Sequence, residues 1–143
     1  MIVASDLLGP LEVEPSEIFR FPGGLFGFPD SRDFLLLPAE LDGLYWLQST
    51  EHSPLAFVMV DPFRFFEEYA VDLPDSELRD LGNPDRSELL VLAIVTLPRT
   101  QEDGPTANLQ GPVAINLASH LGKQIPIADT DYELRAPFRF PAE

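Results

Sequence analysis

Two histidines, a cluster of acids near the end and one glycine-rich stretch are where this 143-residue chain could do chemistry. His52 lies in Ser49-Thr50-Glu51-His52-Ser53, and His120 in Ser119-His120-Leu121-Gly122. A histidine near a serine suggests a base and a nucleophile. Neighbours in sequence rarely form a triad, and the nucleophile-elbow pattern G-x-S-x-G is absent. An exposed loop histidine is the better account of each. Asp129-Thr130-Asp131-Tyr132-Glu133 is the nearest approach to a cation site. It lacks the spacing of a calcium loop, and H-E-x-x-H is missing from the chain. Weak calcium binding and a solvated turn both fit it, the turn better. The spacing of the 24 acids picks out no glycosidase-like pair. With no cysteine, disulfides, zinc-thiolate sites and a thiol nucleophile are excluded. No metal, cofactor or catalytic residue is expected.

The glycine-rich stretch is RFPGGLFGFPD, from Arg20 to Asp30. Its glycines follow G-G-x-x-G, which is neither the dinucleotide fingerprint nor a P-loop. No lysine follows it, and no long helix starts after it to point at an anion. It reads instead as a compact bend. Glycines supply positive φ, and Pro22 and Pro29 pin the ends. Phe21, Leu25, Phe26 and Phe28 either pack inward or form a sticky rim. Asn108 and Asn116 frame a second bend at Gly111-Pro112, where their side chains are expected to bond backbone.

Short strands must position these residues. Fifteen prolines punctuate the chain, and the longest stretch without one is Ala39 to Ser53. Proline inside a helix costs about 3 kcal/mol, so long helices are nearly excluded. The segments between are rich in Val, Ile, Phe and Leu. Strands are predicted at 11–13, 17–21, 33–38, 45–49, 55–61, 69–73, 88–97, 106–109, 112–117 and 124–127. Leu55–Val60 and Leu89–Val95 are continuously apolar, as strands are when both faces are covered. One helix of about two turns is predicted within Leu73–Gly82. There Asp75 or Ser76 caps the start, Leu78 and Leu81 share a face, and Gly82 ends it. Arg99–Pro105 reads as a flexible loop. The expected fold is a single domain over residues 1–143, mostly β, a compact antiparallel barrel-like structure with one short helix.

Charge narrows the partners. Nine basic residues against 24 acidic ones give a net charge of −15, and Lys123 is the sole lysine. Binding to a phosphate backbone draws on clustered Lys and Arg. This chain should be repelled by nucleic acid and anionic membranes and drawn to basic proteins. The N-terminus lacks a basic region and an apolar run of signal length, so a cytoplasmic location is expected.

Asp61-Pro62-Phe63-Arg64-Phe65-Phe66-Glu67-Glu68-Tyr69-Ala70-Val71-Asp72 interleaves rings with carboxylates. Rings give anchoring area at low entropy cost, and acids select a basic partner. Alternatively the phenylalanines fill the core while the acids face water. On the interface reading the contact residues are Phe65, Glu67, Glu68, Tyr69 and Asp72, with Phe26 and Phe28 as a second candidate patch.

Several of these stretches resemble the flagellar assembly factor FliW family. They are F-P-G-G-L-F-G-F at Phe21–Phe28, S-P-L-A-F-V-M-V-D-P at Ser53–Pro62, and T-A-N-L-Q-G-P-V-A-I-N at Thr106–Asn116. L-G-K-Q-I at Leu121–Ile125 and the ending Tyr132-Glu133-Leu134-Arg135 follow in order. The resemblance implies a non-enzymatic bacterial regulator with a compact β fold. Such proteins bind CsrA, an RNA-binding translational repressor, and relieve its block on flagellin mRNA. They also bind flagellin, which on accumulating occupies them and frees CsrA. A different class also suits a small barrel: a module whose aromatic residues stack on carbohydrate or oligonucleotide. The acidic balance disfavours the nucleic-acid version.

Overall fold

A computed structural model describes residues 1–98, 103–127 and 131–140. Its strands are β1 (Ile2–Val3), β2 (Leu11–Glu12), β3 (Phe19–Arg20), β4 (Asp33–Pro38), β5 (Leu44–Ser49) and β6 (Ala56–Val60). They continue with β7 (Leu89–Thr96), β8 (Thr106–Ala107), β9 (Val113–Asn116), β10 (Leu121–Gln124) and β11 (Ala136–Pro137). Strands β3 to β7 form an antiparallel meander. The first half of β7 pairs with β9, and β9 with β10, both antiparallel. β10 then lies parallel to β3, with Leu121 opposite Arg20. Seven strands thus close a mixed barrel, as a mostly β sequence with short strands should. The far end of β7 pairs with β8, which carries β11 at the edge.

Strand alternation explains the apolar runs. Phe34, Leu47, Met59, Leu92, Val113 and Ile115 point into the barrel, with Phe19, Phe21 and Leu25. The intervening residues Val58, Val60, Ala93 and Val95 point outward, yet they are buried too. Phe65, Phe66, Tyr69, Ala136 and Phe138 lie over them. On other sides the β1–β2 hairpin covers Leu35, and the 73–81 segment covers Ala114 and Ile125. β6, covered on both faces, is accordingly apolar throughout.

The helix content is larger than expected. Besides α1 (Pro62–Phe65) and α2 (Asp75–Asp80) there are single 3-10 turns at Pro15–Glu17 and Arg86–Glu88. The 3-10 turns each carry a reciprocal capping box, from Glu14 to Glu17 and from Asp85 to Glu88. The first of them shortens the strand predicted at 17–21. The strand predicted at 124–127 lies earlier, at Leu121–Gln124. The tight turn falls at 117–120, where His120 takes φ 60, so pairing starts at once. β1 and β11 are only two residues long and carry no pattern to read. The loop predicted at Arg99–Pro105 lies largely outside the described residues.

α2 starts at Pro74, not at the caps expected from Asp75 or Ser76. Pro74 has extended backbone, and its carbonyl accepts from the N–H groups of Glu77 and Leu78. Asp75 then sits in the first turn, where the helix dipole favours a carboxylate. The end is as predicted. Gly82 takes φ +83, its N–H donates to the Arg79 carbonyl, and Asn83 N–H donates to that of Leu78. Lys123 on β10 fixes the helix from below. Its Nζ lies 2.7 Å from Glu77 Oε2 and 2.8 Å from Asp80 Oδ2.

Replacing this lysine by methionine should lower stability at neutral pH. The hydrogen bond from Lys123 holds Asp80 below its ordinary value of 3.8. That contribution is present above 3.8 and lost as acid takes the pH down through the folded value. The bonds to Asp80 and Glu77 raise Lys123 above 10.5, so its contribution is present below 10.5 and lost as pH climbs through the folded value. Urea midpoints of wild type and Lys123→Met across pH should differ fully between those values and converge outside them. A difference independent of pH would mean that Lys123 acts through its carbon stem and not through its charge.

Candidate partner-binding face

The aromatic-acidic segment runs along the outside of β5–β7. Asp61 Oδ1 accepts from Phe63 N–H at 3.0 Å and starts α1, with Pro62 at its first position. Phe66 returns to extended backbone and ends the helix after one turn. The strand expected at Tyr69–Leu73 does not form. Its hydrogen bonds go elsewhere: Tyr69 N–H donates to the Phe66 carbonyl, and Ala70 N–H to the Tyr132 hydroxyl at 3.0 Å. β-type residues there pack against the outer face without adding a strand.

Glu67, Glu68 and Tyr69 meet at an open recess of about 640 Å³, lined also by Phe66, Leu109, Asp131 and Tyr132. Glu67 and Glu68 are exposed at a turn, and Tyr69 is buried. The Tyr69 and Tyr132 rings meet edge to face, centroids 4.7 Å apart. The Tyr69 hydroxyl donates to the Leu109 carbonyl at 2.9 Å. Burial, and then the neighbouring Tyr132, push this phenol well above its ordinary range. It acts as a neutral donor, not a titrating group. Tyr132 and Asp131 were read in the sequence only as part of an acidic cluster and a family-like ending. Asp129 and Thr130 of that cluster lie outside the described residues.

The other expected contact residues of this segment line separate recesses. Phe65 is half-buried, its ring 5.3 Å from that of Phe138, and it borders a second recess with Arg64, Arg139 and Asp42. Asp72 is exposed beside a more apolar groove that includes Phe63, Leu73 and Leu78. Glu67, Glu68 and Tyr69 therefore share one recess, while Phe65 and Asp72 line two others.

Phe26 and Phe28 occupy the glycine-rich bend between β3 and β4. Leu25 and Phe28 exchange backbone hydrogen bonds of 3.2 and 2.8 Å across a tight turn with Gly27 at φ +85. Gly24 takes φ +67, and a side chain there would collide with the Phe28 carbonyl and Pro29. The bend sends Phe21 and Leu25 into the core and leaves Phe26 54 % and Phe28 42 % exposed. The two rings are thus a rim, not core. Gln124 braces the bend: its Oε1 accepts from Phe26 N–H, and its Nε2 donates to the Gly111 carbonyl. Glu51 closes the far end, accepting from the N–H groups of Arg32 and Asp33, which hold its carboxyl below the usual range.

The histidines have structural surroundings. The His120 ring stacks on Phe19 at 4.0 Å, and its Nδ1 lies 3.3 Å from the Ile18 carbonyl. His52 N–H donates to Ser49 Oγ in a turn. Asn108 Oδ1 accepts from the N–H groups of Gln110 and Gly111, as expected of a turn asparagine. Among the described residues no three His or acidic groups are placed to hold a metal ion. No described helix is long and apolar enough to cross a membrane.

A family model described as "FliW protein" matches residues 2–138. The chain is 38% identical to the flagellar assembly factor FliW of Natranaerobius thermophilus, over 96% of this chain and 91% of that protein. It is 39% identical to the FliW of Moorella thermoacetica, over 94% of this chain and 86% of the other. Among solved structures, the crystal structure of a flagellar assembly factor FliW superposes with a TM-score of 0.88 at 33% identity, covering 96% of each chain.

Proposed function

The chain belongs to the FliW family of flagellar assembly factors, and from that premise we propose that it is a non-enzymatic regulator working in the cytoplasm by protein contact. It binds the translational repressor CsrA and relieves repression of flagellin mRNA. Flagellin in turn sequesters it. Glu67, Glu68 and Tyr69 form the centre of the contact, flanked by Phe65 and Asp72. Phe26 and Phe28 offer a second apolar patch.

The observation that carries this reading is the exposed acidic turn set on rigid aromatic packing in a chain of net charge −15. A repressor that binds RNA displays Lys and Arg to phosphates. An acidic protein docked beside that surface attracts the repressor and repels the competing RNA. The Glu67→Lys/Glu68→Lys double variant should weaken CsrA binding about tenfold or more at low salt, with its fold unchanged by circular dichroism. Unchanged affinity would place the contact elsewhere on the molecule. Inhibition of RNA binding should weaken as salt rises, because exposed charges are screened. Co-elution with CsrA and with flagellin, and displacement of one by the other, tests the partner switch itself.

A further inference from the structure

We infer that the recess lined by Tyr69 and Tyr132 receives the guanidinium of an arginine side chain from a basic protein partner. The inference deepens the reading above and rests on it, by naming the chemical group that the acidic face takes in.

Three properties of the recess point there. Phe66, Tyr69, Leu109 and Tyr132 line it together with the exposed Glu67 and Glu68, and no described Lys or Arg does. Its volume of about 640 Å³ holds a guanidinium together with the carbon stem behind it. Its rings are fixed before anything binds. The Tyr132 hydroxyl accepts from Ala70 N–H at 3.0 Å, and its backbone carbonyl accepts from Gln110 Nε2 at 2.8 Å. Tyr69 is tied to the Leu109 carbonyl. A site whose parts are already ordered loses little entropy on binding.

Arginine suits these walls better than lysine. A guanidinium is flat and weakly hydrated, so it stacks on a tyrosine face. Its N–H groups still extend in the plane toward carboxylates at the rim. An ammonium is compact and strongly hydrated, and a partly aromatic wall strips its water without replacing it. The partners' charge fits as well, since the whole chain attracts cations.

The probe is Nα-acetyl-arginine amide, with the matching lysine amide and sodium chloride as controls at equal ionic strength. The readout is NMR of 13C-labelled tyrosine rings. The chain has three tyrosines, and Tyr45 on β5 packs against the barrel interior as an internal control. Saturable shifts are expected at Tyr69 and Tyr132 but not at Tyr45, with the lysine amide binding about fivefold more weakly. Tyr132→Leu should abolish the response, Tyr132→Phe should retain it in part, and Glu67→Gln should weaken it. Shifts that fail to saturate, that spread to all three tyrosines, or that match for the two amides would overturn the inference, and these come from the wild-type protein whatever the variants do. Arginine binding without CsrA association would overturn the CsrA assignment and leave the recess standing. CsrA association without an arginine response would do the reverse.

Discussion

Replacing Gly122 by alanine is expected to destabilise the protein by about 3 kcal/mol or more, beyond the usual range for one surplus methyl. Gly122 sits in mid-strand on β10, opposite Ile115. An added Cβ would collide with the tip of the Phe21 ring, 2.5 Å from Cε2 and 2.7 Å from Cε1, with Cζ nearer still. Phe21 has no exposed surface, and Phe34 stands against it with ring centroids 5.2 Å apart. The ring has nowhere to go in a close-packed interior. Thermal unfolding should show a midpoint lower by roughly 10 °C. Adding Phe21→Leu to Gly122→Ala should recover part of the loss, because the two sites share one space. A midpoint unchanged in the single variant would mean that the barrel interior yields far more readily than its packing implies.

Asn116→Ala should cost about 3 kcal/mol as well, for a different reason. This side chain is 2 % exposed and makes three hydrogen bonds. Its Nδ2 donates to the Leu81 carbonyl at 2.7 Å, tying the end of α2 to the barrel. Its Oδ1 accepts from Ala118 and Ser119 N–H at 2.9 and 3.2 Å, forming the turn between β9 and β10. Alanine leaves these groups unpaired, and the turn is where His120 holds φ 60. Ser119 Oγ, 3.4 Å from the same Leu81 carbonyl, offsets only part of the loss. Urea unfolding gives the magnitude, and faster amide exchange at Ala118 and Ser119 locates it. Asn108→Ala removes a similar turn bond from a half-buried position and should cost less. Equal costs at the two asparagines would show that the link to α2 contributes nothing.

β4 was legible in the sequence to the residue, at Asp33–Pro38, because its unbroken run of one phenylalanine and three leucines ends at a proline. The apolar runs around Met59 and Leu92 also told the truth, since continuous burial of both faces leaves a plain mark. β10 was harder. Gly122 reads as a break, and only the ring of Phe21, a hundred residues away, explains why a strand tolerates it there. Tyr69–Leu73 failed for a related reason. Its residues suit a strand, but its hydrogen-bond partner is the Tyr132 hydroxyl. Half of the candidate site was visible, because Glu67, Glu68 and Tyr69 are consecutive. Tyr132 and Asp131 approach from more than sixty residues further along, and no local pattern foretells such a meeting. The exposure of Phe26 and Phe28 was equally hidden, since glycine geometry decides which rings of the bend turn inward.

The seam between β3 and β10 governs when the molecule can come into being. Leu121 lies beside Arg20, so the ring is shut by a pairing between the start and the last quarter of the chain. Loop-closure entropy must be met before that pairing returns anything, which makes the final step slow. On the ribosome, the growing meander has to wait with two raw sheet edges until the residues of β10 leave the exit tunnel. A flagellar assembly factor built this way is unfinished until its last quarter is made, and its own assembly adds a delay between its message and its working form.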